Sequence, residues 1–165
     1  SKKGGFIMNK KGFTLIELLI VIAIIGIVAA IAVPNLLTAL QKGKLKATMG
    51  DMKTIGTIIY EYATDNAMVP GGAAYTIVAD MEVDVKPFYI QVLPTKDGWG
   101  SSLNYNSGAA ETPQQLEYSL TSYGRDTIDS SPDITQSEFV SRSLDGFDHD
   151  IVYSNGGFTY APKQK

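Results

Sequence analysis

The chain has no cysteine and only one histidine, so it is short of the residues that carry most enzymatic chemistry. Its 165 residues contain His149 as the single imidazole. Without cysteine there is no disulfide, thiol nucleophile or cysteine zinc site. A lone histidine without a G-x-S-x-G nucleophile elbow does not support a serine hydrolase triad either. We therefore expect no enzymatic activity.

Basic residues are scarce outside the first twelve positions. Those positions carry four lysines and no acid, which leaves 10 basic against 17 acidic residues in the rest of the chain, a formal charge of −7. A protein that binds nucleic acid shows the opposite balance, because phosphate groups attract lysine and arginine. The composition predicts no nucleic-acid partner.

What the chain does have is a long apolar run. From Phe13 to Val33 only Thr14, Glu17 and Gly26 interrupt it. About 20 such residues suffice for a helix to cross the hydrocarbon core of a bilayer. Lysines precede the run and tend to stay on the cytoplasmic side, so the C-terminal part of the chain is expected across the membrane.

Glu17 is out of place in this run, because a carboxylate inside hydrocarbon costs roughly 2.5–3.5 kcal/mol. One interpretation is that Glu17 lies one turn from the headgroups and reaches water. The other requires cleavage after Gly12, which would give Phe13 a free α-amino group four residues before Glu17 on the same helix face. A buried acid would then have a buried base to neutralise it.

The sequence KGFTLIELLIVIAIIGIVAAIAVP, at positions 11–34, resembles the class III signal and first helix of type IV pilins and type II secretion pseudopilins. The resemblance is closest over residues 10–65. It implies that a prepilin peptidase cuts between Gly12 and Phe13 and that the new N-terminus of Phe13 is methylated. It also implies that Glu17 pairs with the Phe13 amine of a neighbouring subunit during assembly.

By this resemblance the chain is a structural subunit of a type IV filament, most similar to the major pseudopilin of a type II secretion system, which also lacks a disulfide. The implied partners are further copies of the chain, the prepilin peptidase, an inner-membrane assembly platform and minor pseudopilins or pilins. One alternative is a type IVa major pilin of a surface pilus, serving adhesion, twitching motility or DNA uptake. Another is a membrane-tethered periplasmic enzyme or sensor.

The predicted fold class is α+β, with a long helix packed on a small head. Residues 1–12 are interpreted as a leader, of which 1–7 precede Met8, a possible natural start. The helix is expected over 13–66, spanning the bacterial inner membrane at 13–33, and the periplasmic head over 67–165. After processing, the mature chain is expected in a periplasmic pseudopilus or a cell-surface filament.

The two halves of this helix differ. In the apolar half, Gly26 and Pro34 bound the stretch that should be held least well, because proline removes a helical hydrogen bond. The resemblance implies that this stretch can lose helicity in a filament, and a simple kink is the alternative. In the second half, apolar residues at helical spacing predict one stripe packed on the head. The stripe consists of Leu45, Met49, Met52, Ile55, Ile59 and Tyr62.

The head is predicted to hold an antiparallel sheet of three or four strands, because short segments alternate apolar and polar residues between turn signals. The segments are Leu103–Asn106, Leu116–Thr121, Asp150–Ser154 and Phe158–Tyr160. A hairpin turn is expected at Asn155-Gly156-Gly157. Residues 73–95 are interpreted as a connecting loop with a short helix or strand, and a capping-box pattern at Thr135–Glu138 predicts a helix through Arg142.

Acidic residues concentrate late in the chain, with six aspartates between positions 126 and 150. Such a loop is either solvated or bridged by a hard cation such as calcium, which takes oxygen ligands. Composition favours the solvated loop. The segments Tyr123–Asp126 and Asp148–Ile151, however, resemble the calcium loop of the major pseudopilin. That resemblance implies calcium held by Asp126, Asp148, Asp150 and the backbone carbonyl of Tyr123, with Asp133 and Asp129 as alternatives.

Overall fold

The computed structural model describes residues 12–71, 75–107, 117–130, 138–139 and 144–163. The chain divides into two compact units, Ser1–Leu37 and Thr38–Lys165. Helix α1 runs from Leu15 to Asn66 and contributes to both units. The architecture is α+β, as the sequence predicts.

In the first unit, α1 presents apolar side chains that are exposed along its length, including Ile20, Ile24 and Ile31. The helix continues through Gly26 and Pro34. One turn of it is reinforced where the Asn35 side-chain amide donates to the Ile31 carbonyl at 3.2 Å. The loss of helicity expected between Gly26 and Pro34 in a filament stays a prediction.

Helix α1 ends at Asn66, where local hydrogen bonds and backbone conformation stop it before the turn at Pro70 and Gly71. The Asn66 side-chain amide donates to the Tyr62 carbonyl at 2.9 Å. Ala67 has a left-handed backbone, with φ of 58°, and its N–H donates to the Ala63 carbonyl at 2.9 Å. The left-handed backbone at Ala67 ends α1 there, and the Ala67 N–H satisfies one of the carbonyls that a helix end leaves without a partner.

In the second unit, one stripe of α1 forms half of the hydrophobic core, as its spacing predicts. Four of the six predicted side chains are buried, and Met49 and Tyr62 are partly buried against them. The other half comes from the sheet and from the segment that precedes it. Its fully buried members are Val78, Met81, Val85, Leu103, Leu120, Phe147 and Ile151.

Within the described residues the sheet has five strands, β1 to β5, in the order β1-β2-β4-β5-β3. Neighbours among β1, β2, β4 and β5 are antiparallel, and β4 and β5 form the predicted hairpin around Asn155 and Gly156. The strands are β1 (Asn104–Ser107), β2 (Tyr118–Ser122), β3 (Glu138–Phe139), β4 (Ile151–Ser154) and β5 (Gly157–Pro162). Leu116, which the sequence places in the second strand, lies outside the described residues.

Two local predictions meet different outcomes. The expected short helix before the sheet exists, as a 3-10 turn at Val78–Met81 followed by α2 (Glu82–Val85). The capping-box helix is wrong where it can be checked, because Glu138 and Phe139 form β3 and pair in parallel with Ala161 and Pro162. Pairing with the edge of β5 outweighs the local capping signal there, and residues 135–137 and 140–142 lie outside the described residues.

Gly56 is the point at which α1 and the sheet approach most closely. A Cβ at this position would lie 2.4 Å from Tyr153 Cε1 and 3.0 Å from Tyr118 Oη. At Gly50, six residues earlier in the same helix, an added Cβ would meet nothing within 4 Å. The two glycines therefore serve different purposes, and only Gly56 is required by packing.

We expect Gly56→Ala to lower the free energy of unfolding by about 1–3 kcal/mol, because the methyl group overpacks the core. Gly50→Ala should instead raise it by up to about 1 kcal/mol, since alanine is the better helix former. Thermal unfolding of the full chain in detergent, followed by circular dichroism, compares the two. Equal effects of the two substitutions would contradict this assignment.

Two buried tyrosines tie the sheet to α1 and to the turn that follows it. Tyr105 Oη donates to the Pro70 carbonyl at 3.0 Å, and Tyr118 Oη donates to the Gly56 carbonyl at 3.4 Å. Burial, together with the nearby Tyr153 hydroxyl, raises the pKa of Tyr118 to about 12. The folded chain therefore holds this proton more tightly than the unfolded chain, whose tyrosine pKa is about 10.

Because the pKa of Tyr118 is higher in the folded chain, its protonated hydroxyl contributes fully to the free energy of unfolding below pH 10. This contribution is lost as the pH rises towards 12. Tyr118→Phe should make the unfolding midpoint fall less steeply between pH 10 and 12. The exposed Tyr60→Phe is the control and should leave the slope unchanged. Identical slopes for the wild type and Tyr118→Phe would refute the prediction.

Candidate functional site

The expected processing point lies just before α1. Gly12 and Phe13 precede the first helical residue, Leu15, and are not part of regular secondary structure. The Phe13 side chain is 83% exposed. The bond between Gly12 and Phe13 is thus in a segment that a peptidase can reach without unwinding the helix.

Glu17 forms a capping box with Thr14 at the start of α1. Glu17 Oε2 accepts hydrogen bonds from the Thr14 N–H at 2.9 Å and from the Thr14 hydroxyl at 2.7 Å. In return the Glu17 N–H donates to Thr14 Oγ1 at 3.3 Å. A carboxylate in the first turn is also favoured by the helix dipole. Glu17 is therefore positioned by its own helix, four residues from Phe13.

The helix that follows has the character of a membrane segment. By length and composition, α1 is able to cross a bilayer, and none of its most apolar window is buried within the chain. Such a surface is costly in water, so it requires lipid or other apolar surfaces around it. Glu17, near the start of this segment, lies where lipid or a neighbouring protein would surround it.

In the acidic region, Asp148 forms an ion pair. Both of its carboxylate oxygens accept from Arg125, Oδ1 from Nε and Oδ2 from Nη2, each at 2.7 Å. This is the two-pronged geometry in which a guanidinium binds a carboxylate most strongly. Each oxygen of Asp148 thus already accepts one hydrogen bond, and the calcium ligation by Asp148 that the resemblance implies stays a prediction. Sequence reasoning passed over Arg125.

Gly124 explains why the two resembling segments come together. Its backbone has φ of +69°, and a Cβ there would lie 2.7 Å from the His149 carbonyl oxygen and 2.8 Å from that of Phe147. The Arg125 N–H donates to the Phe147 carbonyl at 2.8 Å. Only glycine combines this φ with this close approach. The segment around Gly124 is therefore fastened to the chain just before β4.

Of the acids predicted to bind calcium, Asp150 has the carboxylate best suited to bind a cation. It is fully buried, its Oδ2 accepts from the Ser130 N–H at 3.1 Å, and its Oδ1 has no hydrogen-bond partner among the residues that the structure describes. Burial raises the pKa of Asp150, hydrogen bonding from Ser130 opposes that rise, and the negative charges of Asp129 and Asp126 add to it. A buried carboxylate oxygen without a partner is costly unless a cation or water meets it.

The other residues predicted to bind calcium have different surroundings. Asp126 Oδ1 accepts from the Ile128 N–H at 3.1 Å, within a tight turn. Burial and the charges of Asp129 and Asp150 raise the pKa of the Tyr123 hydroxyl, so these groups share one neighbourhood. Asp133 lies outside the described residues. Within the described ranges no three acidic, histidine or cysteine side chains are arranged to hold a metal ion.

A second buried acid, Asp97, has a purely structural position. Its Oδ1 accepts from the N–H groups of Trp99 and Ser101 at 2.9 Å each, and its Oδ2 accepts from the Ser122 hydroxyl at 2.8 Å. Trp99 is half-buried, and its indole N–H donates to Gln41 Oε1 at 2.7 Å. The Asp97-Gly98-Trp99 segment therefore links α1 to the sheet.

Comparison with known proteins agrees with these features. Residues 7–33 match the family model described as the prokaryotic N-terminal methylation motif. The chain is 30% identical over 126 residues to the type II secretion system core protein G of Pseudomonas aeruginosa, covering 72% of this chain and 87% of that protein. It is 31% identical over 99 residues to the type IV major pilin protein PilE1 of Neisseria gonorrhoeae, covering 60% of each.

The chain also has a shorter match of higher identity. Over 34 residues it is 71% identical to the type IV wide pilus major component PilA4 of Thermus thermophilus, which covers 21% of this chain and 26% of that protein. No solved structure matches the chain significantly. With the methylation motif, the apolar helix and the sheet on its second half, the chain belongs to the family of type IV pilins and type II secretion pseudopilins.

Proposed function

We propose that the protein is a non-enzymatic subunit of a helical filament, the major pseudopilin of a type II secretion system. The observation that carries this proposal is the exposed apolar half of α1, with Glu17 fixed at its start. A segment of this kind is stable in a membrane, or in a bundle of identical helices that cover one another.

In the proposed mechanism the precursor is held in the inner membrane by α1, with its head in the periplasm. A prepilin peptidase cuts between Gly12 and Phe13, and Phe13 becomes N-methylated. Glu17 of one copy then pairs with the Phe13 amine of the next, which fixes their axial position. Mutual burial of the helices favours extraction from lipid, with dispersion contacts adding to the charge pairing.

A type IV pilin of a surface fibre is the second candidate. The similarity to the Neisseria pilin favours it, but that match covers 60% of the pilin, against 87% of the Pseudomonas secretion protein. Deleting the gene in its host separates the two. A pseudopilin mutant should retain exoproteins in the periplasm and keep its surface fibres, whereas a pilin mutant should lose the fibres and still secrete.

Glu17→Leu should abolish assembly while leaving membrane insertion and cleavage intact, because it removes the counter-charge for the neighbouring amine but adds apolar surface. Ile20→Leu, in the same segment, is the matched control and should assemble normally. Sedimentation of filaments measures assembly. The mass of the purified chain shows whether it begins at Phe13 with an added methyl group.

A Glu17→Leu chain that assembles like the wild type would exclude the proposed pairing. A native chain that keeps residues preceding Phe13 and works as a single unit would exclude the filament proposal as a whole. That outcome would favour a membrane-tethered enzyme or sensor.

We also propose that calcium binds beside β4 and takes the place of a disulfide in the head. Asp150 offers a buried carboxylate oxygen without a partner, and Asp129 and Asp126 are close enough for their charges to bear on it. Carboxylate oxygens are the ligands that calcium prefers, and the Tyr123 carbonyl is a further candidate. The ion would neutralise repulsion among these acids and join the Ser130 segment to β4.

Calcium should raise the thermal unfolding midpoint of the wild-type chain, and a chelator should lower it, because an ion that binds only the folded state stabilises it. Asp150→Asn should remove this response. Asp148→Asn should keep it while lowering the midpoint at every calcium concentration, since Arg125 loses its partner. If Asp148→Asn removes the response instead, Asp148 is a ligand, and a wild-type midpoint insensitive to calcium excludes the site.

A further inference from the structure

An open apolar groove of about 560 Å³ lies between the second half of α1 and the sheet. It is lined mainly by Gly56, Tyr60, Ala63, Tyr118, Tyr153 and Gly156, and none of the described residues that line it is charged. The tyrosine rings form its walls. We call this cavity the α1 groove. It is wide enough for more than one apolar side chain, and nothing in the described chain fills it.

A second apolar surface lies on the segment after the first 3-10 turn. Val83, Phe88 and Val92 are 78%, 82% and 77% exposed, although each is a large apolar residue. We call these three residues the 83–92 patch. Single exposed apolar residues are normal on a surface, but three large ones within one ten-residue segment point to a protein contact.

The patch is held in place by the end of α1. Tyr89 Oη donates to Asp65 Oδ2 at 3.0 Å, and the Asn66 amide donates to Tyr89 Oη at 3.3 Å. The Tyr89 ring packs edge-on against Tyr62 and Phe88, with centroids 5.5 Å and 4.9 Å apart. Phe88 is therefore presented by an anchored segment, so little conformational entropy is lost when it binds.

The charges around the two surfaces are complementary. In the segment 82–92, Lys86 Nζ pairs with Glu82 Oε1 at 2.7 Å, which leaves Asp84 as the one excess acid. At the sheet end of the groove, Lys53 Nζ lies 5.6 Å from the centroid of the Phe158 ring, which packs against Tyr153 at 4.9 Å. An acidic segment is attracted to that end of the groove, which orients it.

We propose, resting on the filament function proposed above, that the 83–92 patch of one copy docks in the α1 groove of the next copy. Because the patch and the groove are different surfaces of one chain, each copy offers one of each. A contact of this type does not close into a dimer and propagates as an open helical array. It would give the heads a contact of their own, in addition to the one between the apolar helices.

The absence of cysteine allows a direct test. Thr57→Cys places a thiol at the rim of the groove, and Phe88→Cys places one in the patch. Filaments of the full chain carrying both substitutions should form disulfide-linked dimers, trimers and longer ladders on mild oxidation. Each single variant can form no species beyond a dimer. The control combines Thr57→Cys with Ile128→Cys, at an exposed apolar residue outside the patch, and should form no ladder.

A second measurement does not rely on cysteine chemistry. Phe88→Ser should lower the fraction of protein that sediments as filaments several-fold without changing the unfolding midpoint, and Ile128→Ser should leave both unchanged. Equal ladders from the test and control pairs would overturn the proposal. An unchanged sedimenting fraction for Phe88→Ser, or cross-links only to another protein, would overturn it too.

Wild-type sedimentation separates this proposal from the filament function. If the wild type assembles and the test pair gives no ladder, the docking contact is wrong and the filament function stands. If the wild type does not assemble, the filament function itself fails.

Discussion

The head depends on how closely the sheet and its flanking loops can approach the backbone of α1. At two points the approach leaves no room for a side chain. Gly56 faces the rings of Tyr153 and Tyr118, and a Cβ on Gly98 would lie 2.4 Å from the Lys44 carbonyl oxygen. The Gly98 N–H also donates to Thr48 Oγ1 at 2.8 Å, so a hydrogen bond holds this loop against α1. With these two points fixed, the stripe from Leu45 to Ala63 can be covered by the sheet.

The same helix therefore has two different tasks along its length. The stripe beyond Thr38 is covered within the chain and stabilises the head. The apolar part before it is exposed and can be covered by lipid or by other copies. Both tasks fall on residues of the same helix, Leu15–Asn66.

A head without a disulfide must hold its C-terminal segments in another way, and polar groups do much of this. Asp97 joins the loop before β1 to Ser122 at the end of β2. Arg125 joins the loop after β2 to Asp148, just before β4. Asp150 extends the chain of contacts to Ser130 and keeps one oxygen without a partner. In the first two contacts both carboxylate oxygens accept hydrogen bonds. At Asp150 one oxygen has no partner among the described residues, so a cation would stabilise the head most there.

The amino-acid sequence by itself determined the features that depend on neighbours along the chain. These are the apolar run with Glu17, the buried stripe of α1, the hairpin at Asn155-Gly156 and the α+β class, all of which follow from local spacing. Only the tertiary structure decided which acid pairs with Arg125, why Gly124 and Gly56 are glycine, and that Glu138-Phe139 is a strand rather than a helix. These features arise between residues distant in sequence, where packing and hydrogen bonding outweigh local propensity.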